Sequence, residues 1–562
     1  MAQHSKAFSG GSLYSGGNLY FYPVNVKMPS TKQPPNAAKK GEAHSANHRN
    51  LALMAKAAGL FLFAMLFSKI ASYAFRWVGA KLGTTEYGYF AMAFGVFEMA
   101  VGLGLLGVDS AVGRFIVDES VSRKKSGLAA NSFWYGIRVV LVSGTVLAIG
   151  LALSSAWIAT NVLHAPSMWP SLVLFALAIP FFLLVLVFVA SARGLKHVEY
   201  EAGAKSILES GLRPLIAFGA IGVGLGVLGL TVSVFASAII VFMTCAFWSR
   251  KLFSQPWFES ILSAKRPKGF FKFSLPLYAS NLLALVISNA ALFSLGLMVS
   301  ASEAGVFSAV MPLAVFVSTP ALGILSIFIS VGSELFALGK KSESEKLYKS
   351  LSKAILLATL PLCVILAFFS REALTFLYVI DYSQGALALS ILSIGYLLYS
   401  VFTPAVNYLH VIKRTDLFLF NLFISAILVL VSIFLFVPAY GTAGAAVAFA
   451  IGTVAQGILA ALEVRKFASI QPFSGSFART LLAGILSLIP LYFLNGAYGL
   501  RGFSRVAFGA FLYCAAYAVL LFILRAFDRD DIELLKAVER KSGFKLGVFR
   551  GILKKLYFGK NS

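Results

Sequence analysis

Lys69, Tyr73 and Arg76 follow one another at i, i+4 and i+7 in an apolar run, so a helix sets all three on one face. A charge at the centre of a bilayer costs about 2.5 to 3.5 kcal/mol even on the mildest scales, so such residues face a polar cavity or a partner. Two cations beside an aromatic ring can hold an anionic group and stack a flat ring next to it. In the following apolar run, Glu98 and Asp109 lie eleven residues apart, close to three helical turns, which places them on one shared face. Carboxyl groups in that setting can take up a proton or a cation, and Glu98, the deeper of the two, suits that role best. A second reading is a buried Lys69–Glu98 ion pair that only fixes helix packing. Arg138 and Arg213 are further cations near the ends of apolar runs, where long basic side chains also snorkel to the interface. Glu209 is the i−4 neighbour of Arg213 and can neutralise it. Tyr278 is a further ring suited to stacking on a sugar or to packing.

The elements that must position these groups are membrane spans. Of 562 residues, 59% are hydrophobic and 13% charged, and the mean hydropathy is +0.83. A water-soluble chain of this size cannot bury so much apolar surface, so the expected class is an all-α polytopic membrane protein. Cys245, Cys363 and Cys514 all fall inside apolar runs, which argues against a disulfide framework or a metal cluster. The net charge of +25 resembles a nucleic-acid signal, but its distribution points elsewhere. The charges sit between apolar segments on alternate loops, so no nucleic-acid partner is expected.

Fourteen segments are long enough to span: 54–79, 85–110, 132–158, 169–192, 203–225, 228–249, 273–299, 303–331, 350–370, 384–410, 416–437, 441–463, 477–494 and 503–526. Loops after even-numbered spans carry Arg114, Arg123, Lys124, Lys125, Arg193, Lys196, Lys340, Lys341, Lys413, Arg414, Arg465 and Lys466. Loops after odd-numbered spans carry little beyond Lys81, Arg371, Arg501 and Arg505. Positive loops stay inside, so both termini are expected in the cytoplasm and the protein in the cytoplasmic (plasma) membrane. Residues 1–50, rich in Gly, Ser, Asn and Pro and without a signal-peptide pattern, read as a disordered cytoplasmic tail. Residues 528–562 read as a basic amphipathic cytoplasmic tail lying on an anionic leaflet.

An internal repeat organises the spans. Glu86, Gly88 and Phe90 of "TTEYGYF" fall on Glu303, Gly305 and Phe307 of "ASEAGVF", and Lys196 falls on Lys413, all at a shift of 217. Gly226 and Gly229 fall on Gly441 and Gly444, and Arg250-Lys251 on Arg465-Lys466, at a shift of 215. Six helices per copy is an even number, so the copies share orientation as a parallel repeat. The expected organisation is an N-terminal six-helix lobe at 51–250 and a cytoplasmic linker at 251–272. A C-terminal six-helix lobe at 273–466 follows, with helices 13 and 14 at 467–527 outside the repeat. Two such lobes suggest alternating access. Pro180, Pro214, Pro276, Pro312, Pro320 and Pro404 read as kinks or hinges inside spans.

The stretches "LGTTEYGYFAMA", "GLGLLGVDSAVGRFI", "ASEAGVFSAVMPLA" and "GSELFALGKKSESEKLYKSLSKAILLATLPL" carry a resemblance by their order and spacing. They continue in "YSQGALALSILSIGYLL", "LHVIKRTD", "VPAYGTAGAAVAFAI" and "DRDDIELLK". Over residues 50 to 540 the chain resembles polysaccharide and oligosaccharide flippases, the O-antigen flippase group of the multidrug/oligosaccharidyl-lipid/polysaccharide export superfamily. The resemblance implies two six-helix bundles around a cationic cavity, plus two C-terminal helices. It implies that a polyprenyl-phosphate- or diphosphate-linked oligosaccharide is moved across the cytoplasmic membrane. Implied partners are that lipid-linked oligosaccharide, membrane lipids and glycan-assembly enzymes, with a monomer as the working unit and no cofactor. On this reading Lys69, Tyr73, Arg76, Arg138 and Arg213 bind substrate, while Glu98, Asp109 and Asn289 are the coupling candidates. Relatives often carry an acid where this chain has Asn289, so coupling is absent here or moved elsewhere. The competing classes are a multidrug or organic-cation antiporter on the same fold, which would favour net acid, and a membrane-embedded glycan-processing enzyme. For the enzyme reading there is no metal or nucleophile cluster on the short outer loops and no phosphate-binding Gly loop. Gly102, Gly104 and Gly107 read as close helix packing.

Overall fold

The computed structural model describes residues 63–121, 126–253, 257–378, 380–494 and 502–528. The tail readings for 1–50 and 529–562, and the start of the first span, lie outside these residues. Among the described residues there is no strand. Residues 63–80 form α1, followed by α2 (Thr84–Leu105), α3 (Val108–Val121), α4 (Ser126–Trp157) and α5 (Trp169–Gly194). The next crossing is built of three pieces: Val198–Glu201, a π-helix at Ala202–Glu209, and α6 (Ser210–Gly222). Then come α7 (Gly226–Leu252), the short α8 (Trp257–Ser263), α9 (Phe270–Met298), α10 (Ala301–Phe316), α11 (Thr319–Ala337) and α12 (Lys341–Phe368). The order closes with α13 (Ser370–Leu377), α14 (Ala386–Val411), α15 (Thr415–Ala468), α16 (Gly475–Leu486), α17 (Leu488–Leu494) and α18 (Gly502–Ile523).

Ten helices among the described residues are long and apolar enough to cross a membrane, and α10 with the start of α11 makes an eleventh crossing bent by 41°. The 54-residue α15 is two crossings, broken at Gly441, whose φ of 51° and ψ of −129° are not helical. With α1 and the π-helix–α6 segment, helices stand at all fourteen expected spans. Pro180, Pro214, Pro276, Pro312 and Pro404 lie inside helices, whereas Pro320 opens α11. An opening position suits proline, since its missing N–H has no intrahelical acceptor there.

The chain separates into two compact units, one running through Leu285 and the other from Val286, so the division falls within α9. In the first unit a file of rings fills the core: Phe90–Phe94 at 5.8 Å, Phe94–Phe97 at 5.7 Å, Phe97–Phe175 at 5.2 Å and Phe97–Phe182 at 5.5 Å. Lipid is as apolar as these rings, so van der Waals packing rather than water exclusion holds them. Small residues allow the approach: methyl groups placed on Gly102 and Gly104 would stand 2.3 Å from Leu285 and 2.8 Å from Leu183. In the second unit α16 and α18 pack on α12 through Phe477, Tyr513, Tyr517 and Leu521 against Leu356 and Leu360. Ion pairs pin both ends of this assembly, Glu372 to Arg505 at 2.9 Å at one and Lys353 to Asp528 at 3.3 Å at the other.

The repeat is written in the backbone. Lys196 and Lys413 adopt the left-handed conformation, φ 66° and 60°. Each is followed by a basic residue and, two residues later, by the acid that residue contacts: His197–Glu199 at 2.7 Å and Arg414–Asp416 at 2.9 Å. Arg414 donates to both carboxylate oxygens of Asp416. Gly226 and Gly441 likewise share a φ of 51°. The copies differ at their matched acids. Ser300 caps α10 by accepting the Glu303 N–H, 3.2 Å away, which is half of a capping box. The Glu303 carboxylate does not turn back to Ser300; it accepts the Thr442 N–H at 2.7 Å and the Thr442 hydroxyl, capping the helix that restarts after Gly441. Glu86, its counterpart, is exposed.

Candidate substrate-binding site

Four contacts set the rotation of α1. Ser68 and Ser210 share a hydrogen bond of 2.8 Å, and Phe67 lies on Gly211. Farther along, the rings of Phe75 and Phe90 are 5.8 Å apart, and a methyl on Gly79 would stand 2.8 Å from Tyr87. These contacts spend the faces of α1 that touch α2 and α6. Lys69 and Ser72 are left exposed, and Tyr73 and Arg76 half-buried, on the remaining stripe. Lys69 and Arg76 lie close enough for their like charges to interact. Two cations held together without cancelling each other make a patch that attracts an anion. Lys69 and Glu98 are both exposed, whereas the packing-pair reading needs them buried against each other.

Glu98 and Asp109 do not share a face. α2 ends at Leu105, and Leu106 and Gly107 both take positive φ, 50° and 69°, before α3 begins. Counting turns across the pair fails because the helix stops between them. Gly107 is required there twice over, by its φ and by its neighbour: a methyl would stand 2.6 Å from the Ser274 carbonyl oxygen. Glu98 is therefore exposed on α2 while Asp109 is buried at the start of α3, the reverse of the order of depth expected from the sequence.

Asp109 faces Arg193 and Lys205 and belongs to a network of six charges that the sequence reading passed over. Arg193 pairs with Glu201 at 3.2 Å and Arg213 with Glu209 at 2.7 Å, while Lys205 stands between the charges of Glu201 and Glu209. Three acids thus meet three bases. The signal was available: Glu201, Lys205, Glu209 and Arg213 alternate in sign at steps of four. On an α-helix such a ladder drifts around the axis, since a turn takes about 3.6 residues. The π-helix over Ala202–Glu209 takes more residues per turn, which offsets that drift.

Arg138 is held elsewhere: its Nη1 donates to the Leu262 carbonyl at 3.2 Å, and its guanidinium lies 5.2 Å from the Tyr135 ring. Tyr278 donates to the Leu103 carbonyl at 3.4 Å. Asn289 is buried in the second unit and donates to Ser288 at 3.4 Å. Of the five expected substrate ligands, the structure brings Lys69, Tyr73 and Arg76 together and gives Arg138 and Arg213 other partners. Among the described residues no group of three or more His, Cys, Asp or Glu is placed to hold a metal ion.

A family described as polysaccharide biosynthesis protein matches residues 82–386, more than half of the chain. The chain belongs to that family. Its fold is the one seen in transporters of the multidrug/oligosaccharidyl-lipid/polysaccharide export superfamily. A structure of the lipid II flippase MurJ in an inward closed conformation superposes with a TM-score of 0.67 and 14% identity, covering 83% of this chain and 98% of that one. An inward-facing MATE family multidrug resistance transporter of the same superfamily gives 0.58 and 16%, covering 72% and 94%. At such identities the likeness is one of fold. An uncharacterized membrane protein of Methanocaldococcus jannaschii is 28% identical over 187 residues, which span 32% of this chain and 37% of that relative's length.

Proposed function

We propose that this protein flips a polyprenyl-phosphate- or diphosphate-linked oligosaccharide across the cytoplasmic membrane by alternating access. The observation that carries the reading is the stripe of exposed Lys69 with half-buried Tyr73 and Arg76 on a membrane helix of a chain in this family. A lipid-linked sugar diphosphate is an anion that must leave the headgroup region, and paired cations in a low-dielectric setting attract it strongly. Tyr73 stands beside them with a ring able to stack on the first sugar. The basic loops face the cytoplasm, where such intermediates are assembled by the enzymes that act before this step. Depletion of the protein in cells is the direct test. Lipid-linked oligosaccharide should accumulate on the cytoplasmic side of the membrane; an unchanged distribution between the two faces would reject the reading.

An organic-cation antiporter on the same fold would need net acid near its substrate. The charges on α1 and α2 that the site reading uses are Lys69 and Arg76 against Glu98, which favours an anion. Coupling, on our reading, runs through Glu98. Asn289 carries an amide that neither gains nor loses a proton in the physiological range, and Asp109 is engaged with Arg193 and Lys205. Transport by reconstituted Glu98→Gln protein should lose its dependence on an ion or pH gradient, while Asn289→Ala keeps it. The reverse pattern would move coupling to the second unit.

A further inference from the structure

We propose that the linker around α8 is a docking surface for an anionic lipid leaflet, separate from the substrate stripe and independent of the substrate assigned to it. α8 is held along one side. Trp257 lies 5.8 Å from Trp134 and 6.5 Å from Phe242, and Ser260 and Ala264 are buried. Both flanks are clamped to α4. Before α8, Phe253 stacks on Phe133 at 4.4 Å with the rings 8° from parallel. After it, the Asn131 amide donates to the Lys265 carbonyl and accepts the Lys265 N–H, each at 2.8 Å, and Arg138 holds the Leu262 carbonyl.

The clamp leaves the other side of α8 bare. Phe258 is 77% exposed and Leu262 61%, an unusual position for two large apolar side chains on a helix of seven residues. Five cations, Lys251, Lys265, Arg266, Lys268 and Lys272, are exposed around them, against the single acid Glu259 over the same stretch 251–272. Exposed apolar side chains in a strongly cationic segment match the boundary between acyl chains and anionic headgroups. The neighbouring surface continues the match, because Met243 and Phe247 are exposed on α7, one of the helices able to cross the membrane. A protein partner would have to compete with the bilayer that α7 itself occupies. The clamp through Asn131 presents this face already ordered, so docking needs no folding of the linker.

The test uses full-length protein with its native cysteines replaced and a fluorophore on Ser263→Cys, an exposed site next to the apolar pair. Quenching by shallow spin-labelled lipid is read in vesicles of phosphatidylcholine alone and of phosphatidylcholine with phosphatidylglycerol. Quenching should rise about twofold or more when the anionic lipid is present. A Lys265→Gln, Arg266→Gln, Lys268→Gln triple variant should return it to the neutral-lipid value, and Phe258→Ser should lower it in both vesicles. Equal quenching in the two vesicles, or a rise that the triple variant keeps, would overturn the proposal. So would free access of aqueous iodide to the fluorophore in both vesicles.

Discussion

Removing both cations of the α1 stripe, by Lys69→Ala with Arg76→Ala, is expected to abolish most translocation while the protein still folds and inserts. A hydrogen bond to a charged group contributes about 1.5 to 3 kcal/mol, so each single variant should lose roughly 10- to 100-fold in transport rate at limiting substrate. Arg76→Lys should keep part of the rate, because it preserves charge but not the planar, forked donor set. The measurement is movement of a lipid-linked oligosaccharide in reconstituted vesicles, with thermal stability of the purified protein as the control for folding. With Lys69 acting on substrate from an exposed position, adding Glu98→Ala to Lys69→Ala should not restore transport. Restoration by that double variant would assign Lys69 a packing role and remove it from the substrate stripe.

The second large effect is on stability and lies in the six-charge network. Glu209→Gln leaves Arg213 and Lys205 short of a negative charge in a site that is mostly buried. Stranding a buried charge costs about 3 to 5 kcal/mol, a large fraction of what holds most membrane helices in place. The detergent-purified variant should melt well below the parent protein and express poorly. Neutralising the other partner as well, with Arg213→Gln, should recover most of the loss, because balance rather than either charge is what the site requires. A Glu209→Gln protein as stable as the parent would show that water or lipid headgroups reach the pair and screen it. The network is also the place where α5 and the π-helix crossing are tied together, through Arg193 and Glu201. Its loss should therefore loosen the first unit and leave the packing of α16 and α18 on α12 intact.

The all-α class, the spans and the repeat were legible in the residues because each rests on local physics. An apolar run of about 20 residues must close its own backbone hydrogen bonds in lipid, so its length alone announces a helix. The break near Gly441 was visible for a similar reason: the apolar residues from 416 to 463 are too many for one crossing and fall into runs at 416–437 and 441–463. The α1 stripe was legible too, since i, i+4 and i+7 fall on one face of any α-helix.

What the chain alone left open depends on how each helix is rotated about its axis and where it is interrupted. A helix that is apolar on all sides carries no stripe to say which face meets a neighbour. Spacing therefore placed Glu98 and Asp109 together, and only the two left-handed residues at Leu106 and Gly107 showed that the register stops between them. The same freedom hid the Glu303 cap on Thr442, which joins groups 139 residues apart, and the turn of Asp109 toward Arg193. By itself the sequence determined an all-α, fourteen-span, internally repeated membrane protein with a cationic stripe on its first helix. The tertiary structure decided which charges meet across helices, because a charge in lipid also takes partners that neighbouring helices bring to it, as Asp109 meets Arg193.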